Sequence, residues 1–84
     1  MIGLSIAWRA ARSGHIVTVH DPNPGSGASW VAGGMLAPLS EGWPGEDHVL
    51  SLGAASLDRW PGFAEALRAE TGVDVFTAEA SLTV

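Results

Sequence analysis

The sequence SGASWVAGGMLAP, residues 26–38, decides the fold that we expect for this chain. It follows a short apolar segment that ends in Asp21. It has too little charge and bulk for an ordinary surface loop, and too much Gly and Ser for a strand. Small residues let a backbone lie close to a flat ligand and donate N–H groups to it. We therefore expect a ligand-contacting loop here, with a short helical turn near Trp30.

The residues before this loop predict a helix followed by a strand. Residues 3–13 place Ile6, Ala7 and Ala10 on one apolar stripe, and Gly14 is a natural residue to end the helix. Residues 15–20, HIVTVH, are rich in β-branched side chains and form a nearly continuous apolar run, typical of a parallel strand covered on both faces. The sequence DPNPG then predicts a turn. The order indicates an α/β domain.

The residues after the loop predict two helices and two strands. Residues 46–60 carry Leu50, Ala54, Leu57 and Trp60 at helical spacing. Pro61 suits the first turn of a new helix over residues 61–70, with Phe63, Ala64 and Leu67 inward and Gly72 at its end. Residues 73–77 and 82–84 predict strands, connected by residues 78–81.

Composition excludes several functions. The 84 residues suffice for one small domain, and a net charge of −5 with four Lys and Arg gives no basic surface for nucleic acid. The chain has no Cys, so disulfides and thiolate chemistry are excluded. No apolar run is long enough for a membrane span, and we expect a cytoplasmic protein. The three His share no metal-binding spacing, and Ser29 has no base near it in sequence.

Four features occur in the order of a dinucleotide-binding unit. Gly3 opens a helix, a strand follows, Asp21 stands 18 positions after Gly3, and the small-residue loop comes next. In such units a glycine lets the helix pack on the sheet, and an acidic residue about 20 positions later binds the ribose hydroxyls. The two earlier glycines and the first strand would precede Met1, so both ends of the chain look cut. The alternative interpretation is that Gly3 only begins a helix and that Asp21 is only a solvated residue at the end of a strand.

The residues GLSIAW at 3–8, Asp21 and GASWVAGGMLAP at 27–38 resemble the N-terminal region of the FAD-dependent glycine oxidases. These belong to the D-amino-acid oxidase family and serve thiamine biosynthesis. The resemblance continues through residues 56–57, 60–61 and 70–73. It implies a partial Rossmann-like FAD-binding domain that lacks its first strand and its C-terminal part. It also implies a small amine or amino-acid substrate, with catalytic residues beyond this chain, which we expect to be inactive alone.

The resemblance assigns roles to nine residues. Asp21, where the family usually has Glu, would hold the adenosine ribose. The cofactor-binding candidates are Ile2 and Gly3 at the end of the phosphate loop, Asp21 and Pro22, Ala28 and Ser29, and Gly33, Gly34 and Met35 against the flavin ring.

Two other interpretations stay open at this point. The chain could belong to a sarcosine-type or another D-amino-acid oxidoreductase, or it could be a truncated gene product without function. We expect Trp8 and Trp60 to pack rather than bind ligand, and Glu41, Glu46 and Asp47 to be solvated. The sequence does not indicate an oligomeric state.

Overall fold

The computed structural model describes residues 1–75 of the 84. They contain three helices: α1 at Ile2–Arg12, α2 at Ala28–Val31 and α3 at Asp47–Thr71. No strand occurs within these 75 residues. The chain divides into two compact units, Met1–Met35 (unit 1) and Leu36–Val84 (unit 2), and each is described by itself.

Helix α1 confirms the first predicted helix. It follows Met1 without a side-chain cap and carries Arg9 and Arg12 in its last turn, where cations complement the helix dipole. Beyond its end, the N–H of Gly14 donates to the carbonyl of Ala11 at 3.1 Å, and Gly14 has a φ of 91°. Such a φ favours glycine, so Gly14 ends the helix as predicted.

The apolar face of α1 matches the prediction at Ala7 and Ala10, which are half-buried, but not at Ile6. Ile6 was expected on the inward stripe, but 65% of its surface is exposed. Leu4 and Trp8 are half-buried as well, and the guanidinium carbon of Arg12 lies 4.9 Å from the centre of the Trp8 ring. The larger indole and its cation–π contact outweigh the smaller isoleucine in setting which face is covered.

The predicted strand at residues 15–20 is wrong for this structure, because this segment is irregular. Ile16 is fully exposed, and Val17 and Val19 are also exposed. A strand is stable only when a neighbour takes up its backbone hydrogen bonds, and residues 1–75 supply none. The α/β class is therefore not confirmed for this chain, whose described part is helical.

The predicted turn after residue 20 is confirmed. The N–H of Asn23 donates to Oδ1 of Asp21 at 2.9 Å, a side-chain turn that aspartate commonly makes. The hydroxyl of Ser26 donates to the carbonyl of Asn23 at 2.7 Å, and Gly25 has a φ of 80°. The turn leads directly to α2, which is the helical turn expected near Trp30.

Helix α3 is one continuous helix, so the prediction of two helices divided at Pro61 is wrong. Proline has no N–H for the Leu57 carbonyl and crowds it, which normally breaks a helix. The half-buried stripe nevertheless continues in register across Pro61, and burial of this one shared face offsets the cost of the proline. The helix ends as predicted at Gly72, which has a φ of 72° and donates to the Arg68 carbonyl at 2.8 Å.

The inward face of α3 confirms the predicted stripe. Ala64 is 5% exposed and is the only buried residue among those described. The rings of Trp60 and Phe63 lie 5.3 Å apart at a tilt of 31°. The half-buried members are Leu50, Gly53, Ala54, Leu57, Trp60, Phe63, Ala66 and Leu67.

The outward face of α3 carries a bidentate ion pair. Arg68 donates to both carboxylate oxygens of Glu65 at 2.9 and 3.0 Å, which lowers the pKa of Glu65 through hydrogen bonding and charge attraction. Beyond α3, residues 73–75 are irregular rather than the start of a strand. The remainder of that predicted strand, its connection and the last strand lie outside the described residues.

Candidate cofactor site

All nine candidate cofactor residues lie in unit 1. Ser29 is half-buried and the other eight are exposed. Three short segments carry them: the start of α1, the turn at Asp21 and Pro22, and the stretch from α2 to Met35. An exposed set of this kind leaves its polar groups and backbone open to a ligand.

One hydrogen bond brings two of these segments together. The amino group of Met1 donates to the hydroxyl of Ser29 at 3.2 Å, although 28 positions separate them. It places the first residues of α1, Ile2 and Gly3, beside α2. The predicted phosphate-loop residues and the predicted FAD contacts at Ala28 and Ser29 are therefore neighbours. No hydrogen bond between described residues joins Asp21 or residues 33–35 to this pair.

The start of α1 can donate hydrogen bonds to an anion. The first N–H groups of a helix have no acceptor within it, and the helix dipole adds partial positive charge there. The first backbone hydrogen bond of the helix is made by Ser5, whose N–H donates to the Met1 carbonyl at 2.9 Å. No side chain caps the helix, and no acidic residue stands in its first turn. This end suits a phosphate group.

Asp21 presents an exposed carboxylate. One oxygen accepts the Asn23 N–H, which fixes the carboxylate over the turn. A carboxylate has about four acceptor positions, so capacity for ribose hydroxyls remains. Pro22 follows with no N–H to compete for these positions.

Two glycines in the loop adopt a left-handed backbone. Gly27 precedes α2 with a φ of 69°, and Gly34 has a φ of 75°. Open space surrounds Gly33 and Gly34, since a Cβ built on either would meet no atom within 4 Å. Met35 is 72% exposed. A flat ring could therefore approach this backbone closely.

The donors and acceptors fit FAD by type. The α1 start offers N–H groups for a pyrophosphate, Asp21 an acceptor for ribose hydroxyls, and the glycines an open backbone for an isoalloxazine ring. Within residues 1–75 no cluster of three potential metal ligands occurs. No helix of this part of the chain has the length and apolar character to cross a membrane.

Gly53 is a packing residue that the sequence analysis does not single out. Gly53 lies on the half-buried stripe of α3, and a Cβ there would lie 2.7 Å from Cβ of Pro38. Its spacing from Leu50 and Leu57 places it on the inward stripe and could have indicated this position.

Comparison with known proteins identifies the class. The family model described as FAD dependent oxidoreductase (DAO) matches residues 1–82. The chain belongs to this family, whose members use FAD.

Three curated relatives agree with that assignment. A thiamine biosynthesis oxidoreductase, ThiO, of Rhizobium etli is 45% identical over 60 residues, which are 69% of this chain and 18% of the relative. Glycine oxidase of Pseudomonas putida is 37% identical over 88% of this chain and 20% of its own length. Glycine oxidase of Geobacillus kaustophilus is 35% identical over 98% of this chain and 22% of its own length. The chain thus spans about a fifth of the relatives that it matches. No solved structure gives a significant match.

Proposed function

We propose that this chain is the N-terminal part of the FAD-binding domain of a glycine-oxidase-like flavoenzyme. The observation that carries the proposal is the family match over residues 1–82, together with relatives named ThiO and glycine oxidase. The hydrogen bond between Met1 and Ser29 supports it, because it groups two of the predicted cofactor segments. The parent enzyme would oxidise glycine or another small amine or amino acid.

The chain's own residues would bind and orient the cofactor. Backbone N–H groups at Ile2 and Gly3 would receive the pyrophosphate, and Asp21 would accept hydrogen bonds from the adenosine ribose. The backbone of Gly33 and Gly34, with Met35, would lie along the flavin ring. FAD, when bound, supplies the hydride acceptor for amine oxidation, and O₂ reoxidises it with release of hydrogen peroxide. Substrate selection and proton transfer would be the work of residues outside residues 1–84.

FAD binding by the 84-residue chain is expected to be weak, with a dissociation constant above the micromolar range. The proposed donors are exposed, so every contact replaces a hydrogen bond to water, and a net gain of only about 1 kcal/mol per bond is usual. Equilibrium dialysis with FAD measures the constant. Sub-micromolar binding would contradict this expectation.

Asp21→Asn provides the matched test of the proposed ribose contact. It keeps the side-chain oxygen that accepts from Asn23 but removes the charge, so FAD binding should weaken by roughly tenfold. FMN has no adenosine ribose, so its binding should not change. Asp58→Asn, an exposed substitution on α3, is the control and should alter neither ligand. Equal losses for FAD and FMN would argue against a role for Asp21 at the ribose.

The chain with added FAD is expected to show no oxidase activity. The proposed catalytic residues lie outside it, and the exposed loop cannot exclude water from a bound flavin. A peroxide assay with glycine, sarcosine and D-alanine tests this, with free FAD as the background. Peroxide production above that background would overturn the proposed division of roles.

A further inference from the structure

The segment after the predicted flavin loop contacts α3 at a glycine. A Cβ built on Gly53 would lie 2.7 Å from Cβ of Pro38 and 3.7 Å from its Cγ. Real Cβ atoms essentially never approach to 2.7 Å. The Pro38 ring therefore occupies the space that any other residue at position 53 would fill.

Neither partner can easily move aside. A Cβ on a helix is fixed by the backbone, and the Pro38 Cβ belongs to a rigid ring. Glycine inside a helix is unfavourable relative to alanine, so the helix itself gains nothing from Gly53. The contact with Pro38 is the physical reason for glycine at this position. Gly62, also inside α3, differs because a Cβ there would meet no atom within 4 Å.

Further contacts hold the same segment. The N–H of Glu41 donates to the Ala37 carbonyl at 3.1 Å, which closes a turn around Pro38. A Cβ on Gly42 would lie 3.4 Å from Cδ1 of Leu50 on α3. Residues 31–36 are exposed, whereas Ala37 and Pro38 are half-buried. The exposed loop thus ends where Pro38 meets Gly53.

We propose that Gly53 is a positioning residue, which seats Pro38 on α3 and thereby fixes residues 36–42, the segment that follows the loop of the candidate cofactor site in the sequence. The role of that loop in holding a flavin rests on the proposed function, whereas the seat itself rests on the contact between Pro38 and Gly53.

Hydrogen exchange of the full 84-residue chain tests the proposal. In Gly53→Ala the amide hydrogen of Glu41, which donates to the Ala37 carbonyl, should exchange about tenfold faster or more, because the added methyl group displaces Pro38. Circular dichroism should show α3 retained, since alanine is the better helix former. Gly62→Ala is the matched control and should leave exchange in residues 36–42 unchanged.

Pro38→Gly supplies the rescue experiment. It removes the ring and should itself raise exchange in residues 36–42. In that background Gly53→Ala should add no further increase, because the two substitutions break one contact. Equal effects of Gly53→Ala and Gly62→Ala, or additive effects of Gly53→Ala and Pro38→Gly, would overturn the proposal. The dialysis experiment with FAD tests the proposed function separately, because the hydrogen-exchange experiments are carried out without FAD.

Discussion

Pro61→Ala is expected to stabilise α3 by about 2–3 kcal/mol, close to the cost of proline relative to alanine in a helix interior. Proline cannot donate to the Leu57 carbonyl, and its ring crowds that oxygen. The variant restores the missing hydrogen bond without changing the half-buried stripe. Circular dichroism at 222 nm during thermal unfolding should show a higher midpoint. The backbone amide hydrogens of residues 57–61 should also exchange with solvent more slowly.

Pro44→Ala is the control for this experiment. Pro44 precedes α3, which begins at Asp47, so its replacement removes no helix-breaking residue. It should shift the midpoint far less than Pro61→Ala. An unchanged or lowered midpoint for Pro61→Ala would mean that α3 is not continuous at this position in solution.

Ala64→Asp is expected to destabilise unit 2 by several kcal/mol. Ala64 is the most buried residue described, and an ionised carboxylate there would lose its hydration without a designed partner. Urea unfolding followed by tryptophan fluorescence measures the loss, with Trp60 one helical turn away as a reporter. Burial would raise the pKa of the introduced carboxyl above its unfolded value, so part of the lost stability should return as pH falls from the folded pKa to the unfolded pKa, with no further gain below the latter.

Ala55→Asp separates burial from helix propensity. Ala55 lies in the same helix but is exposed, so the same substitution there carries only the propensity penalty, about 0.5 kcal/mol. Equal losses at the two positions would show that the inward face of α3 is not packed in solution.

The helices could be predicted because their signals are local. Leu50, Leu57 and Leu67 recur at helical spacing, and Gly14 and Gly72 mark ends that their positive φ angles confirm. The strand at residues 15–20 could not be decided in this way. Its β-branched residues give a propensity, but strand formation depends on a neighbour that is distant in sequence. Pro61 is a local signal that predicts a boundary between two helices, whereas the half-buried stripe continues through it and α3 forms as one helix.

In the candidate site, too, the local features could be predicted and the contacts between distant residues could not. Gly3, Asp21 and the small-residue loop could be selected from the sequence by residue type and order, and the family match shows the FAD-dependent family to which the chain belongs. The contact of Met1 with Ser29 and that of Pro38 with Gly53 join residues 28 and 15 positions apart. No periodicity encodes such pairs, because they depend on how the chain turns between them.

The exposed apolar segment at residues 15–20 favours self-association of the isolated chain. Ile16, Val17 and Val19 present β-branched side chains and unpaired backbone to water, which is the chemistry of a segment prone to self-association. The net charge of −5 opposes such encounters by mutual repulsion at neutral pH. That repulsion vanishes near the isoelectric point of about 4.8. Mild acid is therefore the condition under which this polypeptide would aggregate most readily.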